Sequence, residues 1–202
     1  MNAVFAGSLD AFAPAAAAAG VIRATRVCVV ATAAAFRGPD EAVEQVRSLL
    51  AATGATISAV SAIDRASAID SSTVAEVRSA DVVILVEGAA LHARSVWRRT
   101  ALGDALNEAT LLCVGTTGSV LGATMIDPRG GAPTTGLGFF DDVVLSVPAG
   151  PEQTQRTREL AGESLLVELG RRSVVAFDGR WRVVVGDDLV VTRAGRAASL
   201  SD

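Results

Sequence analysis

The chain has 202 residues, half of them apolar and a fifth charged, so one α/β core can organise it and bury a sizeable interior. Its net charge of -4, its pI near 5.1 and arginines scattered singly or in pairs in place of any lysine argue against nucleic acid as a partner. No run of about 18 apolar residues is free of charges or turn signals, which excludes an expected membrane-spanning helix.

The alanine-rich start, residues 1–20, lacks the positive leading region of a secretory signal and carries Asp10, so it reads as part of the fold. Residues 3–6 and 26–31 (RVCVVA) are predicted strands with an alanine-rich helix between them. Pro39 opens a helix in which Val43, Val46, Leu49 and Leu50 form one apolar stripe, and Gly54 ends it. Residues 57–60 are a strand and residues 71–79 a helix. Residues 82–86 (VVILV) are a strand apolar on both faces, as a central parallel strand must be. A helix over 93–109 and a buried strand over 111–114 follow. The small-residue turn Gly115-Thr116-Thr117-Gly118-Ser119 comes next, with residues 120–125 beginning a helix. Beyond a loop at Asp127 to Gly131, residues 143–147 are expected as a strand and 152–169 as one long helix. Residues 173–177, 181–185 and 189–192 are short alternating runs parted by Asp178-Gly179 and Asp187-Asp188, the pattern of an antiparallel meander at a sheet edge. One domain is expected over residues 1–195, followed by a loose end over 196–202.

Alternation of valine-rich strands with helical segments defines an α/β protein built on a mostly parallel sheet. Cys28 and Cys113 each fall inside an apolar strand, where a thiol acts as a small buried hydrophobe, in keeping with a reducing cytoplasm. With one histidine, two separated cysteines and no clustered acids, neither a metal nor a cofactor is expected. Asp141-Asp142 and Asp187-Asp188 read as solvated turn residues.

A strand that turns sharply into a helix through small residues lifts the residue at the crest clear of the sheet, as in hydrolases whose crest residue is a nucleophile. Four segments in order, VEGAALHARSVW, VGTTGSVLGATM, DPRGGAPTTGLGFF and VVAFDGRWRVVVGDDLVV, resemble the cyanophycinase and dipeptidase E group of serine peptidases over most of the chain. The resemblance implies a three-layer sandwich like that of class I glutamine amidotransferases, helices flanking the central sheet, with a C-terminal antiparallel hairpin region. It also implies a serine nucleophile in a G-T-S-A-G-A turn. Thr117 stands in that place here, and Ser119 falls where the pattern has glycine. Ala149 stands where the resemblance puts the catalytic histidine, and Glu87 precedes Gly88 where backbone donors to an oxyanion are implied.

Three functions follow for testing. The first is a member of this group that has lost its triad and binds a small peptide or acidic ligand around Glu87, Gly88, Gly115, Thr116, Gly118, Ser119 and Arg129. The second is a peptidase or amide hydrolase using Thr117, with His92, the one histidine, or another group not identified in the sequence as base. The third is a structural or regulatory partner protein that uses Val96 and Trp97 on the helix over 94–99; a homodimer is a separate expectation with no residues assigned to it. A P-loop reading of the 115–119 turn fails for want of its lysine. The loop carrying Arg129 is either a structural turn or a border of the pocket.

Overall fold

A computed structural model describes residues 1–127, 129 and 131–200. The first half alternates strand and helix: β1 (Asn2–Ala6), α1 (Phe12–Ala18), β2 (Arg26–Val30), α2 (Pro39–Leu50), β3 (Thr56–Val60), α3 (Ser71–Arg78) and β4 (Val82–Leu85). Two helices, α4 (Ala90–Trp97) and α5 (Ala101–Glu108), then lead into β5 (Thr110–Val114) and a 3-10 turn over Gly115–Val120. The second half holds β6 (Thr124–Ile126), β7 (Pro133–Thr135), β8 (Val143–Ser146), α6 (Pro151–Ala161), β9 (Leu165–Leu169), β10 (Val174–Phe177), β11 (Trp181–Val185), β12 (Leu189–Arg193) and β13 (Arg196–Ala197).

Seven strands make the central sheet in the order β11-β10-β1-β5-β4-β2-β3. The five strands from β1 to β3 pair in parallel, and β10 and β11 add antiparallel at the β1 edge. Successive side chains of a strand point to opposite faces, so a strand covered on both sides must be apolar throughout. In β2, Val27 and Val29 pack with α1 and α2, whereas Cys28 and Val30 pack with α3, α4 and α5. The pattern repeats in β4 and β5, and it makes the sheet the middle of three layers. A second sheet, β13-β12-β9-β8, extends the layer that contains α4 and α5, and α6 covers its far side through Ala161, Val144 and Leu166.

Several expected elements take a different form. The helix expected over 93–109 is two helices. Arg99 takes a left-handed backbone at φ 56, and the Thr100 hydroxyl then caps α5 by accepting from the Gly103 N-H at 3.3 Å. The helix expected to start at 120 does not form, because main-chain groups of residues 120–123 bond the 136–140 segment instead, as in Leu137 N-H to Val120 C=O at 2.8 Å. The long helix expected over 152–169 stops at Ala161. The run LLVEL beyond Gly162 is strand β9, every residue of it buried, because pairing with β8 and β12 offers it two partners.

The three C-terminal runs are not one meander either: β10 and β11 join the central sheet, while β12 crosses to pair with β9. Nor is the end loose from Arg196, since β13 pairs with β12 and Leu200 is buried in the main core. Residues 201–202 lie outside the described residues. Trp97 is fully buried, its indole N-H donating to the Thr32 hydroxyl at 3.0 Å, so it anchors α4 to the loop after β2 and offers nothing to a partner surface. Among the described residues, no helix is long and apolar enough to cross a membrane.

Candidate functional site

In an open parallel sheet, ligands bind beyond the carboxyl ends of the strands. Here the ends of β2, β4, β5 and β8 open on two recesses of about 220 and 410 Å3 that share Arg37 and Glu87 as lining residues. Glu87 comes directly after β4 and its neighbour Val86. Gly88 follows because the chain passes hard against the loop after β2: a Cβ at Gly88 would run into the Ala33 carbonyl, and Ala89 N-H bonds that same carbonyl at 2.7 Å.

The turn after β5 places its residues differently from the expectation. Strand β5 ends at Val114, and the sharp change of direction falls on Gly115, whose φ of 61 is left-handed. The crest therefore carries no side chain. A Cβ there would sit 2.6 Å from both Cγ and Cδ of Glu87, so the glutamate lies over the crest in the space a crest side chain would enter. Thr117, expected at the crest, is inside the turn with 0 % exposure, and its one hydroxyl hydrogen is shared between the carbonyls of Val114 at 2.8 Å and, more weakly, Leu85 at 3.3 Å. Ser119 is also buried and donates to the Thr116 carbonyl at 2.7 Å, and a Cβ on Gly118 would press on the Phe5 ring at 2.9 Å. These residues hold the turn to the core rather than facing a ligand.

His92 is not joined to Thr117. Its ring packs edge-on against Phe36 at 4.8 Å between centroids, and its Nε2 is buried with no hydrogen-bond partner among the described residues. Thr116 is the one residue of the turn that lines the larger recess, where its hydroxyl donates to the Gly88 carbonyl at 2.7 Å. Pro148 and Ala149 form part of the same wall, so the place implied for an imidazole carries a methyl group.

Among the described residues, charge in the cleft comes from Arg37, Glu41, Glu87, Asp127 and Arg129. Burial raises the Asp127 carboxyl, but hydrogen bonds and charge from Arg129 outweigh it and hold the group below the usual carboxylate range. Arg129 Nη2 sits 2.9 Å from Asp127 Oδ2, and the arginine is otherwise 78 % exposed at the rim. Pro128 and Gly130 of this loop lie outside the described residues. Arg37 forms no ion pair with a described residue, and beside it Phe36 is 75 % exposed. Both residues escaped the sequence reading. Their signal was present in the run FRGPD, where an arginine and an aromatic stand between a central strand and a proline-initiated helix. Among the described residues, no three of His, Cys, Asp and Glu come together as metal ligands.

Solved structures share this architecture over nearly the whole chain, two of them as follows. A peptidase from an acI-B1 Actinobacterium superposes with a TM-score of 0.72 at 16 % identity, covering 98 % of this chain and 96 % of its own. A peptidase E-like protein of Listeria monocytogenes EGD-e superposes with a TM-score of 0.62 at 12 % identity, covering 95 % and 98 %. The chain has a peptidase E-like fold. By sequence, no protein-family model and no curated protein matches it. The peptidase E-like fold accords with the mixed sheet and flanking helices expected from the resemblance, and it puts the Gly115 crest and the cleft at the strand ends where such sheets place their sites.

Proposed function

We propose that this protein uses a peptidase-type cleft to bind a short acidic or zwitterionic peptide without hydrolysing it. The observation that carries the reading is the pairing of Gly115 with Glu87: the crest of the strand-to-helix turn is bare, and a carboxylate occupies the space above it. Nucleophilic hydrolysis of a peptide at a turn of this kind needs a hydroxyl or thiol activated by a base within reach. The only hydroxyl among the described lining residues belongs to Thr116, and it is turned toward a carbonyl. A carboxylate beside a developing oxyanion would oppose its charge where donors are required. Thr117 with His92 as a hydrolytic pair receives no support, since the hydroxyl is held by two carbonyls and the ring by Phe36.

Binding is favoured by the arrangement of charge. Arg37, with no ion-pair partner among the described residues, suits a carboxylate, and Glu87 suits an amine, across a recess of about 410 Å3 whose rim carries the Asp127–Arg129 pair. The expected outcome is no turnover of acyl-aspartyl or dipeptide substrates, together with saturable binding of acidic dipeptides by calorimetry. That binding should weaken about tenfold, or ~1.4 kcal/mol, in Arg37→Gln. Hydrolysis that disappears in Thr117→Ala would overturn the reading, as would an absence of binding by any acidic or zwitterionic dipeptide.

A further inference from the structure

At the joint between α4 and α5, a recess of about 270 Å3 is lined by Arg65, Arg94, Ser95, Arg98 and Arg99 and shares no lining residue with the cleft. Seven of the eighteen arginines form ion pairs among the described residues and eleven do not, and four of those eleven meet at this one recess. In a protein of net charge -4, four cations with no anion at one place is an unbalanced arrangement.

Separate segments hold the cluster in position. Arg65, from the loop after β3, donates through Nη1 to the carbonyls of Ser95 at 3.1 Å and Arg98 at 2.9 Å, and through Nη2 to that of Arg99 at 3.3 Å. Arg94 is tied through Nε to the Thr135 carbonyl. Capping the end of α4 accounts for Arg65. It does not account for Arg98 and Arg99, whose guanidinium groups bond no described residue although both line the recess. Arg99 also keeps a left-handed backbone, φ 56, a conformation that costs any residue bearing a Cβ, at the corner between α4 and α5.

We propose that this recess binds the phosphate group of a small molecule. Guanidinium forks match phosphate oxygens two at a time, and several converging on one recess supply the negative-charge preference that the protein itself leaves unmet. The volume suits a phosphate or diphosphate and falls short of a typical drug-sized ligand site. A nucleic-acid backbone would need an extended basic track, which a chain of net charge -4 does not provide.

The test is calorimetric titration of the full chain with pyrophosphate, inorganic phosphate and glycerol phosphate against chloride at equal ionic strength. Saturable binding is expected, at least tenfold weaker in Arg98→Gln/Arg99→Gln and unchanged in Arg23→Gln, an exposed arginine elsewhere. Circular dichroism checks that the double variant is folded. Should it not be, Arg98→Lys/Arg99→Lys keeps the charge but loses the fork, and is expected to bind several-fold more weakly. Tighter binding of glycerol phosphate than of phosphate assigns an organic phosphate, and the reverse assigns the free ion. No saturable heat with any of the three, or binding unaltered in the folded double variant, overturns the proposal.

Discussion

Gly115 decides the chemistry available above the central sheet, because its left-handed backbone is one that side-chain-bearing residues adopt at a cost and its missing Cβ is where Glu87 lies. Placing an alanine there combines two penalties, the strained backbone and the collision with the glutamate. Gly115→Ala is expected to destabilise by about 2–4 kcal/mol in denaturant unfolding. In a Glu87→Ala background the same change should cost less by about 1 kcal/mol or more, since neighbours in contact do not add. Equal costs in both backgrounds would mean that the glutamate does not cover the crest. Other residues are fixed by burial alone: desolvation raises the Cys28 thiol to about 11 and the Cys113 thiol higher still, so both stay protonated members of the core.

Among the elements, α6 shows how a polar helix is fastened to an apolar strand. Its run PEQTQRTRELA offers little apolar surface, with only Thr157 and Ala161 buried, so hydrophobic burial holds it weakly. Arg158 reaches across to Glu168 of β9, Nε to Oε2 at 2.8 Å, and Glu168 is 2 % exposed while its partner stands at the surface. Removing one partner of such a pair leaves an unpaired buried charge, which is worse than removing both. Arg158→Ala is therefore expected to destabilise by about 2–4 kcal/mol, and Arg158→Ala/Glu168→Leu by clearly less. A double variant at least as unstable as the single one, measured by urea unfolding, would show that the pair does not fasten the helix.

For the whole molecule, exposed aspartates tie neighbouring segments together through main-chain donors. Asp81 accepts from the N-H groups of Arg26 and Thr25 at 2.9 and 2.7 Å, which joins the entry of β4 to that of β2 and holds its carboxyl below the usual range. Asp188 is lowered by the Ser173 hydroxyl and by the Arg172 N-H, which joins the turn before β12 to the entry of β10. A carboxyl depressed by folding adds stability above its unfolded pKa of about 3.9, and that stability is lost as pH falls through the folded value. The melting temperature is thus expected to hold steady near neutrality and to fall as pH drops below about 4. Asp81→Asn should lower it at neutral pH and flatten the acid decline, and a decline of unchanged slope would remove Asp81 from its cause.

How much of this was legible beforehand depended on whether a feature is local. Valine-rich runs such as VVILV, Pro39 at a helix start and the buried cysteines announced the parallel core, because strand and helix periodicity are properties of a few consecutive residues. The break at Arg99 carries a local sign in Thr100, the cap of α5, whereas the strand identity of LLVEL and the route of β12 were decided by partners distant in sequence, which propensity does not encode. The same holds for the site. Small residues after β5 signalled a turn, yet only folding could select Gly115 rather than Thr117 as its crest and bring Glu87, Arg37 and Arg129 around one cleft, because each belongs to a different loop and their meeting is set by the order of the strands.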